Sequence, residues 1–202
     1  MQVSSGPDRA TASLVREARQ GGQLAFQRLV DRYHGAIFRM VYYRIRSRAD
    51  AEDLTQDIFI KAFRRLSGLK NDAYFRSWLY RIAVNRIRDH LRKKRFRALF
   101  VSADDDAGTD PPWPEDAPGQ PADVEQQVAR REFWRRIGGV LDRFPRMERE
   151  VFLLRFFDGL SIREIAQVVR RSESTVKTHL YRGIRRFRAS SQARRLLEEV
   201  MS

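Results

Sequence analysis

Between Ala98 and Val124 the sequence carries seven acidic residues, no lysine or arginine, and five of the chain's seven prolines. A stretch such as SADDDAGTDPPWPEDAPGQPAD cannot bury enough apolar surface to offset the entropy of ordering it, and its prolines remove backbone donors. It reads as a flexible linker, so whatever folds in this chain must fold on either side of it. The expected organisation is an N-terminal domain over residues 1–97, a linker over 98–122 and a C-terminal domain over 123–202. Outside the tract, apolar residues recur at helical spacing, and no period-two alternation argues for strands. The expected fold is all-α: two small helical domains joined by a flexible, acidic, proline-rich linker, with no internal repeat.

The tract also unbalances the charge. The whole chain has 40 Lys and Arg against 26 Asp and Glu, a net +14, and removing a segment with seven acids and no bases leaves +21 for the rest. Such a surplus favours polyanionic partners, nucleic acid above all. Cysteine is absent, so there is no disulfide and no thiolate metal site, and His34, His90 and His179 make no metal-ligand spacing. No cofactor is expected. The N-terminus MQVSSGPDRATASL lacks the basic start and apolar core of a signal peptide. No apolar run reaches the ~20 residues a membrane helix needs, so no membrane insertion is expected and the chain reads as soluble and cytoplasmic. There is no phosphate-cradling glycine loop and no nucleophile with a matched base, which argues against an enzyme.

In the C-terminal half, Pro145 suits a helix's first turn, and the helix RMEREVFLLRFF should stop at Asp158-Gly159. Ser161, with Glu164 three residues on, forms a capping box for the next helix, whose buried face is Ile162, Ile165, Ala166 and Val169. Ser172 or Ser174 can cap the last helix. On that helix Val176, Leu180, Ile184 and Phe187 fall on one stripe, while Thr178, Tyr181, Arg182 and Arg185 fall opposite, flanked by Ser174, Thr175, Lys177, Arg186 and Arg188. Two short helices, a turn of about four residues and an outward cationic face make a helix-turn-helix. Arginine can take guanine edges bidentately or hold phosphate, and Ser and Thr suit either. The turn, VVRRSES, lacks the glycine that a positive φ favours, so Arg170 or Arg171 must adopt that conformation or the turn is looser.

In the N-terminal half, the helix Ala49–Leu66 projects Ala51, Thr55, Ile58, Ala62 and Leu66 onto one face. The opposite face holds Asp53, Gln56, Asp57, Arg64 and, among them, Ile60, an apolar side chain set in a carboxylate surface as in a partner interface. The next helix, YFRSWLYRIAVNRIRDHLRKKRFR, buries Tyr80, Ala83, Val84, Ile87 and Leu91. Trp78, Arg81, Asn85, Arg88 and Arg92 point the other way. An aromatic ring among arginines and an amide is the means by which proteins hold unstacked bases, although the same ring could pack beneath a loop.

Taken together, these segments resemble the extracytoplasmic function (ECF) sigma factors, small two-domain promoter-specificity subunits of bacterial RNA polymerase. DAEDLTQDIFIKAF is similar to their core-binding helix, and FRSWLYRIAVNRIRDHLRKK to the helix that melts the −10 element. FPRMEREVFLLRFFDGLSIREIAQVV…STVKTHLYRGIRRF is similar to their −35-reading domain. The resemblance implies that Asp53, Gln56 and Asp57 contact the β′ clamp helices of core polymerase, with Ile60 at the edge. It implies that Trp78 and Asn85, with Arg81, Arg88 and Arg92 around them, meet −10 DNA, and that the loop Ser67–Phe75 completes a pocket for a flipped base. Lys177, Thr178, Arg182 and Arg185 would enter the −35 major groove beside Ser174, Thr175 and Tyr181, and the C-terminal domain's apolar groove would hold the β-flap. The implied partners are core RNA polymerase and promoter DNA, with an anti-sigma factor as a further class. The tract reads either as a spacer with solubilising charge or as a mimic of a phosphate backbone; in the family the linker passes toward the RNA exit path, which favours the mimic. The chain departs from the family pattern at GGQLAF, where an acidic residue often follows the first glycine, at Leu69, where the loop is often aromatic, and at the Arg170-Arg171 turn.

The rival reading is an autonomous helix-turn-helix regulator. It accounts for the C-terminal half but leaves the acidic helix and the Trp78–Asn85 face without a purpose. Adhesion to a membrane surface through Arg86–Arg97 accounts for least.

Overall fold

A computed structural model describes residues 9–100, 137–191 and 193; residues 101–136, which hold most of the linker expectation, lie outside the described residues. Every regular element among them is helical, and the chain divides into two compact units.

The first unit packs α1 (Arg9–Arg19), α2 (Gln23–Ile45), α3 (Arg48–Arg65) and α4 (Phe75–Phe100), with two short 3-10 turns, Leu66–Gly68 and Asp72–Tyr74, between α3 and α4. Its core takes Val15 from α1, Leu29, Ile37 and Met40 from α2, Ile58 from α3, and Phe75, Leu79 and Val84 from α4. The α1–α2 junction is tight: Gly21 has φ +97°, and Gly22 caps α2 without a side-chain bond. A Cβ on Gly22 would lie 2.9 Å from the Glu17 carbonyl oxygen, so this close backbone approach requires glycine. At GGQLAF, where the chain departs from the family pattern, α2 therefore starts without a side-chain cap. Ser47 caps α3, accepting from the Asp50 N–H. All five apolar-face positions expected of this helix are buried, joined by Leu54 and Phe59. Helix α4 continues to Phe100, past the expected domain boundary at residue 97.

The second unit comprises a helix described over 137–142 (α5), α6 (Arg146–Phe156), α7 (Ile162–Val169) apart from Gln167–Val169, and α8 (Glu173–Ala189). Ile137, Val140, Leu141, Phe144, Phe152 and Leu153 form its core cluster, on which Ile184 and Phe187 of α8 pack. Phe152 stacks on Phe187 with centroids 5.3 Å apart. Pro145 caps α6, and after it Gly159 takes φ +64° while the Leu160 N–H donates to the Leu154 carbonyl. The capping box is complete: Ser161 Oγ accepts from the Glu164 N–H and Glu164 Oε2 accepts from the Ser161 N–H at 2.8 Å. On α7 Ile165 and Val169 are buried as expected and Val168 joins them, whereas Ile162 and Ala166 are only half-buried. Ser161→Ala should lower stability by about 0.5–2 kcal/mol, measurable as a lower thermal midpoint. An unchanged midpoint would mean the box does not hold α7.

Candidate nucleic-acid interface

The geometry of the helix-turn-helix depends on one unusual residue. Arg170 has φ +55° and ψ +52°, and its N–H and that of Arg171 both return to the Ala166 carbonyl, so the turn is closed rather than loose. A non-glycine residue in this conformation costs about 1–2 kcal/mol, which the two bonds help offset. Ser172 then caps α8 by accepting from the Thr175 N–H. Its hydroxyl also lies 2.9 Å from that of Ser174 and 2.8 Å from that of Thr175.

This start directs one face of α8 outward. Ser174, Lys177, Thr178, Tyr181, Arg182 and Arg185 are exposed, and Thr175 is half-buried. Tyr181, at 70%, is among the most exposed large hydrophobic side chains described. Thr178 donates its hydroxyl to the Ser174 carbonyl, which fixes its rotamer and leaves its oxygen lone pairs and methyl outward. No acidic side chain among the described residues pairs with Lys177, Arg182 or Arg185. Arg186 behaves differently from its expected place beside this face. Its Nε donates to Glu148 Oε2 at 2.7 Å, satisfying a buried carboxylate on α6. Helical periodicity could not show that, because the partner lies 38 positions away.

On α4, Asn85 and Arg92 are exposed, with Arg92 3.3 Å from Asp89, while Arg81 and Arg88 are half-buried. Trp78 departs from the expected outward face: it is half-buried, its ring 5.8 Å from that of Phe75. Helix α4 packs on α1, α2 and α3, and its buried arc includes Phe75, Leu79 and Ile82. The end of the loop before α4 is tied to the helix by the Ser77 hydroxyl donating to the Tyr74 carbonyl. In that loop Leu69 is buried and Asn71 accepts from the Ala73 N–H. Leu69 therefore anchors the loop rather than facing outward.

On α3, Asp53 and Gln56 are exposed, but Asp57 is half-buried and ion-paired with Arg86 of α4. Its outward projection held only for its own helix; the neighbouring helix supplies a guanidinium there. Ile60 is 43% exposed, and Phe63, 52% exposed, extends the apolar patch with Phe26 edge-on at 5.0 Å. Phe63 falls one turn after Ile60 on the same helix, and that spacing is the sequence signal that places it in the patch.

The described residues thus present a helix-turn-helix with an open cationic face in one unit. In the other they present a tryptophan, an amide and arginines along a single helix. That combination defines a two-domain helical DNA-binding protein. The family model for Sigma-70 region 2 matches residues 29–97, and that for Sigma-70, region 4 matches residues 134–187. The chain is 34% identical to the ECF RNA polymerase sigma factor BldN of Streptomyces coelicolor over 85% of its own length and 62% of that relative's. It is 31% identical to the ECF RNA polymerase sigma factor SigW of Bacillus subtilis, covering 84% of this chain and 90% of SigW. Among solved structures it resembles CnrH in complex with the cytosolic domain of CnrY, with a TM-score of 0.66, 27% identity, and coverage of 94% of this chain and 98% of that one. The chain belongs to the sigma-70 family of RNA polymerase sigma factors, in its extracytoplasmic function branch.

Proposed function

We propose that this protein binds core RNA polymerase and directs promoter-specific transcription initiation, through −10 recognition by the first unit and −35 recognition by the second. The observation that carries this reading is the occurrence in one chain, in family order, of an acidic α3 face, an arginine-lined α4 with Trp78 and Asn85, and the open cationic face of α8. Asp53 and Gln56, with Ile60 and Phe63 at the edge, form the surface for the β′ clamp helices. Asp57 contributes from beside Arg86. Trp78 and Asn85 meet the melting −10 element, and the loop Ser67–Phe75 completes a pocket for one extruded base. Arg81, Arg88 and Arg92 neutralise phosphates around it. Ser174, Thr175, Lys177, Thr178, Tyr181, Arg182 and Arg185 serve the −35 groove, and the second unit's apolar groove receives the β-flap.

The domains assigned to these roles are residues 1–97 and 123–202, with the acidic tract between them acting on the RNA path. CnrH was solved with the cytosolic domain of CnrY, and a comparable protein partner, an anti-sigma factor, belongs to this reading. No described helix is long and apolar enough to cross a membrane, and the site of action is the cytoplasm, where polymerase and promoter are. The role is regulatory rather than enzymatic.

Core binding is tested by Asp53→Lys combined with Gln56→Lys, two exposed positions that leave the Asp57–Arg86 pair intact. Binding to purified core polymerase should weaken at least tenfold, since like-charge juxtaposition at an interface costs several kcal/mol, while circular dichroism stays helical. Undiminished binding would remove α3 from the interface.

A further inference from the structure

The loop that the proposed −10 pocket depends on is held from a place outside it. Asp72, in the 3-10 turn Asp72–Tyr74, has a side chain only 14% exposed, and its carboxylate accepts from Arg19 of α1 at 2.9 Å. Arg16, one turn earlier on α1, stands 3.7 Å from the other carboxylate oxygen. Both arginines precede residue 29, where the match to the region 2 family model begins. A fully solvated ion pair contributes little. Here the carboxylate is largely enclosed, the nearer guanidinium is two-thirds covered, and two cations converge on one acid.

The loop needs such a fixture. Between α3 and α4 it has no long helix or strand of its own. It is fixed at Leu69, which is buried, and at its end by the Ser77–Tyr74 bond. Lys70, Asn71, Ala73 and Tyr74 between and around those points are exposed. A loop that selects a base must hold its contacting atoms in place before the base arrives, because small misplacements cost large factors. Asp72 sits among these exposed residues, so fixing it fixes them.

We propose that Arg19, seconded by Arg16, is a positioning residue for −10 base selection: α1 clamps Asp72 and thereby sets the loop that faces the extruded base. This rests on the pocket reading above. It makes base selectivity depend on α1, a helix outside the Ser67–Phe75 loop and outside α4.

The test uses holoenzyme assembled from core polymerase and the full chain, on promoters carrying each of the four bases at each −10 position in turn; on the pocket reading, Asn85→Ala should relax the preference at one of them, and the other variants are compared there. Arg19→Ala and Asp72→Asn should each reduce the preference for the favoured base by roughly three- to tenfold, with core affinity unchanged. Arg19→Lys should retain much of the preference, and exchange of the pair, Arg19→Asp with Asp72→Arg, should restore part of it. A merely structural role would change overall activity without changing the ratio between bases, and that result overturns the clamp. If Asn85→Ala relaxes the preference and Arg19→Ala does not, the clamp is wrong and the pocket stands. If neither does, the pocket reading fails and the clamp with it.

Discussion

Trp78→Ala is expected to slow open-complex formation by roughly 5- to 150-fold, the equivalent of about 1–3 kcal/mol for one stacked base. The ring is half-buried beside Phe75, so part of its area stabilises the start of α4 and part is free to meet a base. A template with a pre-melted −10 bubble separates the two contributions. If the ring acts on DNA, the bubble should restore most of the lost rate, because unpairing has been supplied in advance. If the ring acts only as packing, the variant should melt at lower temperature and the bubble should not help. Core affinity should be unchanged, since α3 carries that surface.

The second large effect lies on α8. Arg182 and Arg185 are exposed and have no acidic partner among the described residues. Arg182→Ala or Arg185→Ala should cost about 1–3 kcal/mol at one −35 base pair if the guanidinium takes a guanine edge bidentately. Specificity should relax at that position only. If the contact is to phosphate instead, binding should weaken alike on all sequences and the slope of log K against log salt should fall by about 1. Promoter use unaffected by both substitutions would mean the α8 face does not enter DNA. Arg186→Ala serves as a contrast. It leaves the buried Glu148 carboxylate without the Arg186 guanidinium, so its effect should appear as lost stability rather than altered promoter choice.

What was legible in the sequence was whatever a single helix records about itself. The Ser161–Glu164 capping box, the Ser172 cap, the Val176–Leu180 stripe and the outward set from Thr178 to Arg185 all appear where spacing put them. So does the breach of local rules in the turn: VVRRSES lacks glycine, and Arg170 takes the left-handed conformation, as Arg46 does at the end of α2, where the local sequence carries no such signal. Features fixed by a second element were not legible. Trp78 lies opposite the predicted stripe, yet α4 packs against α1, α2 and α3 and the residue is half-buried. Asp57 looked free on α3 until Arg86 of α4 was placed beside it. Arg186 looked like part of the DNA face until α6 supplied Glu148. The Arg19–Asp72 clamp spans 53 positions, and nothing in either local pattern announces it. The family resemblance supplied roles for faces, while tertiary contacts decided which side chains are free to perform them.

On this account the chain specifies promoters only as part of polymerase. The most direct test is transcription in vitro from genomic templates by purified core polymerase, with and without the protein, alongside DNA binding by the protein alone. The expected result is a discrete set of new start sites that appears only with both components, each preceded by common −35 and −10 elements, and only weak, non-specific binding by the protein alone. Tight sequence-specific binding by the protein alone, with no new start sites when core polymerase is added, would contradict it and make the chain an autonomous regulator.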